Sequence, residues 1–248
     1  MKKKKITAKE LYKKLLASNV IGKQGVITFN LAGVSIKVDT TDAVGTILQL
    51  WVKQWMINNN IYFREQENTQ KFPDFFLDEN DSNNLLEIKA FNFENTPAFD
   101  IANYESYVNS VSENIFHLDT SYIIFGYKMD KNGIITIEKI YFKKIFEIAG
   151  DSKEWPLKVQ VKRNVIYNIR PNSEFKSNHN GPFNNDESFL NATYETYLKY
   201  MGAKQANEWL EKLIKNYEDY YNKKLSIKEK SRYQKKAKKK PKKSSKKR

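Results

Sequence analysis

Two carboxylates and an ammonium stand where charge is unusual, inside apolar runs: Asp74 in Phe72-Pro73-Asp74-Phe75-Phe76-Leu77, and Glu87 and Lys89 in Leu85-Leu86-Glu87-Ile88-Lys89-Ala90-Phe91. Each run reads as a short strand, and the polar segment 78–84 between them reads as a turn. Side chains alternate along a strand, so Glu87 and Lys89 project from one face, and pairing of the two strands carries Asp74 to that face beside Glu87. Such a set can hold a hard divalent cation and orient a water for attack on a phosphodiester. A cross-strand salt bridge in a lysine-rich chain is the competing explanation. Charges within apolar runs are costly unless paired or metal-bound, and all three residues are placed that way.

Phosphodiester cleavage needs an activated water, neutralised charge on the phosphate and help for the leaving oxygen. Magnesium held by one or two carboxylates supplies several of these. Asp74 and Glu87 are the expected ligands, the backbone carbonyl of Ile88 is a third oxygen, and Lys89 is placed to touch the attacking water and a phosphate oxygen.

These residues need a scaffold. Apolar spacing predicts a helix over 7–17, and Gly22 and Gly25 break it. Residues 26–31 and 34–38 read as a hairpin around Ala32-Gly33. Thr40, Thr41 or Asp42 can cap a helix over 43–58 that carries Val44, Ile47, Leu48, Trp51, Val52, Trp55 and Met56 on one broad stripe. A short strand at 61–64 precedes the two acidic-site strands, and a helix is expected over 100–116. The unbroken apolar run 121–127 suits a strand buried on both faces, paired with 134–142 across Asp130-Lys131-Asn132-Gly133. A second hairpin (157–161 and 165–169), a polar Asn-rich stretch (171–186) and helices over about 187–200 and 203–221 complete the body. The order implies an α/β domain with a mixed sheet between helices, plus an added β-hairpin and C-terminal helices.

Composition narrows the chemistry. The 248 residues contain no cysteine and two histidines, which removes disulfides, thiolate catalysis and multi-histidine metal sites, and fits a reducing cytoplasm. No apolar run approaches the length of about 18 residues that a membrane span needs, and no secretory signal opens the chain. The formal charge of +14 is unevenly placed: 228–248 hold thirteen Lys/Arg against Glu229, Lys2 to Lys5 add four, and residues 6–227 are left at −2. The basic C-terminal segment is therefore expected to be a disordered tether for a polyanion, or simply a solubilising tail. The expected layout is one nuclease domain over 1–227, with a catalytic core over about 40–145 and recognition and helical additions over about 150–227, followed by the Lys-rich tail 228–248.

Pro73-Asp74 with Glu87-Ile88-Lys89, in a helix-strand-strand-helix-strand order, resembles the PD-(D/E)xK nuclease superfamily. That resemblance implies a five-stranded mixed sheet of restriction-endonuclease type and magnesium-dependent DNA cleavage. The segments Val38-Asp39-Thr40-Thr41-Asp42-Ala43-Val44-Gly45, Glu67-Asn68-Thr69-Gln70-Lys71-Phe72-Pro73-Asp74, Leu86-Glu87-Ile88-Lys89-Ala90-Phe91-Asn92 and Pro97-Ala98-Phe99-Asp100-Ile101-Ala102-Asn103 resemble the NgoBV/NlaIV group of type II restriction endonucleases, over most of the chain to about residue 225. This implies duplex DNA with the palindrome GGNNCC as substrate, a homodimer, a cognate DNA methyltransferase as functional partner and a bacterial cytoplasmic setting.

Guanine-rich sites call for Arg or Lys against O6 and N7. Candidates for DNA contact are Lys162, Arg163, Asn168, Arg170, Lys176, Asn178 and Asn180, with Arg170 and Asn168 foremost because they end the second hairpin; Asn92, Asn95 and Asp100 follow the catalytic strand. Asp100 is as plausibly a helix cap. The helix before the motif offers Gln49 and Gln54 but no acid after Asp42; Gln49 is a possible accessory to the metal site, with an exposed helix position the slightly favoured reading, and Glu65 and Glu67 are possible accessory acids on the preceding loop, with solvated loop charges the favoured reading. His117 reads as structural or exposed, and His179 lacks the partners of a histidine–metal nuclease. The C-terminal helices can build either a dimer interface or their own core. The competing functions are a structure-specific or repair nuclease on the same fold, and a non-catalytic nucleic-acid-binding module driven by the lysine tail.

Overall fold

The computed structural model describes residues 3–68, 71–177 and 181–227. Helix α1 (Ala8–Ala17) begins at Thr7, whose hydroxyl accepts from Glu10 N at 3.2 Å while the Glu10 carboxylate accepts from Thr7 N at 2.7 Å. Strand β1 (Gln24–Val26), the hairpin β2 (Thr28–Leu31) and β3 (Val34–Lys37), and a 3-10 turn at Thr41–Ala43 lead into α2 (Val44–Asn58). Strands β4 (Phe75–Phe76), β5 (Leu85–Asn92) and β6 (Ala102–Asn103) follow, then α3 (Tyr104–Glu113), a 3-10 turn at Ile115–Asp119, β7 (Ser121–Met129), β8 (Ile134–Lys143) and the short α4 (Ile145–Ile148). Strands β9 (Val159–Lys162) and β10 (Val165–Ile169) precede α5 (Asp186–Met201) and α6 (Ala203–Tyr221).

Among the described residues the main sheet has five strands in the order β1-β8-β7-β5-β4. Only β5 and β7 run parallel, joined through α3, and the other pairs are antiparallel. The expectation of a mixed sheet between helices is met. The unbroken apolar run of β7 is buried on both faces: Tyr122 and Ile124 face a core shared with α3, α5 and α6, while Ile123, Phe125 and Tyr127 face one shared with α1 and α2. A second sheet joins β6, β10 and β9, tying the added hairpin to the segment that follows the catalytic strand.

Several expectations are corrected. Val26 does not belong to the hairpin: it lies in β1, opposite Ile134, where it pairs the otherwise open edge of β8. Residues 61–64 form isolated bridges, Lys4 with Ile61 and Arg64 with Phe76, rather than a strand. No side chain at 40–42 caps α2, which grows directly from the 3-10 turn. Asp100 does not cap α3; Asn103 does, its Oδ1 accepting from Ser106 N at 3.0 Å. The C-terminal helices build their own core: Leu190, Tyr194, Trp209 and Leu213 are buried, and Trp209 Nε1 donates to Val108 O at 2.8 Å. The expected disorder of 228–248 lies outside the described residues. Among the described residues no helix is long and apolar enough to cross a membrane.

Candidate active site

The register of β4 against β5 sets Phe75 opposite Leu86 and Phe76 opposite Leu85, so Asp74, one residue before β4, meets Glu87. Two backbone-to-carboxylate bonds lock the pair: Ile88 N donates to Asp74 Oδ2 at 2.7 Å, and Asp74 N donates to Glu87 Oε2 at 3.0 Å. Lys89 Nζ lies 2.9 Å from Glu87 Oε1. From the next layer α2 sends in Gln49, whose Nε2 donates to Asp74 Oδ1 at 2.7 Å. Gln49 is therefore not the merely exposed helix residue that was slightly favoured from sequence. Pro73, immediately before Asp74, follows a cis peptide.

Burial decides the electrostatics. Glu87 is 6% exposed. Burial first, and then the charge of Glu87, push the Asp74 carboxyl up to about 7; Lys89 and the Ile88 amide act in the opposite sense. For Lys89, burial pulls the ammonium down, but Glu87 and Asp74 together outweigh it and its pKa ends above the usual lysine value. One ammonium thus faces two crowded carboxylates, a locus with negative charge to spare.

Whether a divalent metal suits this site is a question of donors. Among the described residues no three His, Cys, Asp or Glu side chains converge on one point. A magnesium-type ion requires less: one or two carboxylates and neutral oxygens, with water completing the shell. Each oxygen of Asp74 and Glu87 accepts one of the contacts above, and a carboxylate oxygen has a second acceptor direction. With the Ile88 carbonyl alongside, the donor set fits.

The trio opens into a cleft of about 920 Å³ whose lining includes Arg64, Glu65, Lys71 and Asp100. One wall is α3 and its cap, which present Asn103, Ser106, Ser110 and Asn114. Sequence reasoning passed over that row; its signal was polar residues at helical spacing between the buried Tyr104, Tyr107, Val108 and Val111. Glu65 pairs with Lys53 at 2.7 Å. His117 is buried, its Nδ1 2.6 Å from Ser110 Oγ, and burial holds its pKa down to about 4, so it stands as a neutral structural histidine.

The DNA-contact candidates fall into groups. Arg163 and Asn164 form the β9–β10 turn with φ of 51° and 64°, and both are exposed. Lys162 sits 5.9 Å from the Tyr167 ring centre, and Asn168 Nδ2 donates to Gln160 Oε1 at 3.1 Å across the hairpin. Arg170 is ion-paired with Asp100, which brings it to the cleft. Lys176 Nζ donates to Phe93 O at 2.9 Å and lies over the Phe91 and Phe93 rings, so its stem and charge are engaged beyond the end of β5. Asn92 Oδ1 accepts from Glu94 N at 3.0 Å, shaping the turn after β5. Asn178, His179 and Asn180 lie outside the described residues.

Residues 5–237 match the family model described as NgoBV restriction endonuclease. The type II restriction enzyme NlaIV of Neisseria lactamica is 38% identical over 228 residues, which cover 90% of this chain and 94% of that protein. The type II restriction enzyme NgoBV of Neisseria gonorrhoeae is 36% identical over 167 residues, covering 64% of this chain and 91% of that protein. The solved structure of NlaIV restriction endonuclease superposes with a TM-score of 0.84 at 36% identity, covering 94% of this chain and 96% of that one.

Proposed function

Since the chain belongs to the NgoBV restriction endonuclease family and is a type II restriction endonuclease acting on double-stranded DNA, we propose that Asp74, Glu87 and Lys89 are its catalytic residues. The observation that carries this is the convergence of the buried Glu87 carboxylate, the half-buried Asp74 carboxylate and the Lys89 ammonium in the lining of one cleft. Magnesium is the proposed cofactor, held by Asp74, Glu87 and the Ile88 carbonyl; when bound it neutralises phosphate charge and activates a water. The protein's own groups do the rest. Gln49 fixes the Asp74 carboxylate and the Ile88 amide holds its other oxygen, while the proposed role of the Lys89 ammonium, held 2.9 Å from Glu87, is to orient the attacking water and stabilise charge developing on the phosphate.

The hairpin β9–β10 is the proposed reading element, with Arg163 at its exposed turn and Asn168 and Arg170 at its base. The hairpin's link through β6 to the lining of the cleft supports that role. Asn92 and Lys176, beside the end of the catalytic strand, are further proposed DNA contacts, as is Asn178, which lies outside the described residues. The proposed substrate sequence is GGNNCC. A palindrome suits a homodimer in which each copy cuts one strand. Residues 1–227 form the proposed nuclease unit and 228–248 its basic tail, working in a bacterial cytoplasm beside a methyltransferase that protects the same sites. Digestion of a plasmid with magnesium, followed by sequencing of the fragment ends, tests this reading: every end should fall within GGNNCC, and ends scattered over unrelated sequence would overturn it.

A further inference from the structure

The hairpin β2–β3 has two unlike faces. Cross-strand pairs Phe29–Ile36 and Leu31–Val34 share one side, while Thr28–Lys37 and Asn30–Ser35 share the other. The apolar side is bare: Phe29, Leu31, Val34 and Ile36 are 52–65% exposed. A lone two-stranded hairpin is marginal in water and is normally stabilised by packing its apolar face on something. The next helix continues the surface. Ile47, Leu50 and Trp51 of α2, spaced on one helical face, are also exposed, and a groove of about 360 Å³ joins Ile47 and Trp51 to Val26 and Ile27 at the root of the hairpin.

Ten of the fourteen large exposed apolar residues among those described lie between Ile21 and Ile57. Eight of the ten are aliphatic, so at roughly 150 Å² each, the low end of the aromatic range, their exposed fractions amount to about 750 Å². The largest apolar patch on an ordinary monomer is roughly 300–600 Å², whereas each partner in a standard interface contributes about 800 Å². The surface thus has the size of a subunit interface. Lys23 is the one charged residue lining the groove, so the face lacks the basic stripe that a DNA surface needs.

We propose that a second copy of this chain docks here, the hairpin β2–β3 and the outer row of α2 forming a twofold, self-complementary interface. This rests on the homodimer reading above and gives the dimer its location, which the C-terminal helices, spent on their own core, do not supply. The same helix carries Gln49 to Asp74, so the interface and the catalytic centre share one rigid element.

Sedimentation equilibrium on the full chain tests the proposal. The wild type should run at twice 29.2 kDa. Leu31→Glu/Val34→Glu, and separately Ile47→Glu, should fall to the single-chain mass with unchanged circular dichroism, while Asn30→Glu on the polar face stays dimeric. A wild type of single-chain mass at tens of micromolar, or a dimer that survives both apolar-face variants, overturns it. Plasmid cutting by the wild type separates the two readings: a cutting monomer removes the interface and leaves the nuclease, and a dimer that never cuts does the reverse.

Discussion

Asp74 holds its proton to about 7 because it is buried and because Glu87 is charged beside it. A metal ligand must give up that proton, so metal and proton compete for the same oxygens. Magnesium affinity measured calorimetrically should therefore rise with pH up to about 7 and level off above it, with roughly tenfold weaker binding at pH 6 than at pH 8. Equal affinity at the two values would remove Asp74 from the ligand set. Gln49 acts through Asp74 rather than on the substrate, and Gln49→Ala should lower the cleavage rate about tenfold with DNA binding retained; its gel-shift affinity and single-turnover rate check this. The trio was legible in the sequence because charge inside apolar strand runs is rare and alternation fixes the faces. Gln49 was not, since nothing local distinguishes a helix glutamine facing a carboxylate from one facing water. Asp100 was ambiguous for a related reason: its partner, Arg170, is remote in sequence.

Elements with strong local signals were readable nearly to their ends. Helix α6 spans Ala203–Tyr221 as its spacing predicts, and α1 starts where Thr7 and Glu10 make a reciprocal cap. Thr7→Ala should cost about 1 kcal/mol of stability, measured by urea unfolding; no change would mean that the N-terminal turn adds nothing to the fold. The misread elements depend on non-local partners. β1 exists because β8 offers an open edge, and β6 exists because β10 does. Within the one broad stripe on α2, Val44, Leu48, Val52 and Met56 are buried while Ile47 and Trp51 are exposed. Apolar periodicity locates a helix but does not say which of its apolar sides meets its own core and which meets another chain.

At the scale of the molecule, charge and fold are separate. The body over 6–227 carries −2, and the surplus belongs to the ends. Removing 228–248 takes away thirteen Lys/Arg, so the log–log salt dependence of non-specific DNA binding should flatten by several units while the cut positions stay the same. An unchanged salt slope in fluorescence anisotropy would exclude the tail as a DNA tether. The fold class was legible because a strand buried on both faces, flanked by amphipathic helices, admits few layer arrangements, and the sheet order β1-β8-β7-β5-β4 is one of them. The central claim is that Asp74, Glu87 and Lys89 perform the cleavage. Single-turnover cutting of a mapped DNA duplex by Lys89→Met, Glu87→Gln and Asp74→Asn, with duplex affinity measured alongside, tests it most directly. Each variant should lose on the order of a thousandfold or more in rate while binding DNA within a few-fold of the wild type. Wild-type cleavage by any one of them would contradict its place in the site.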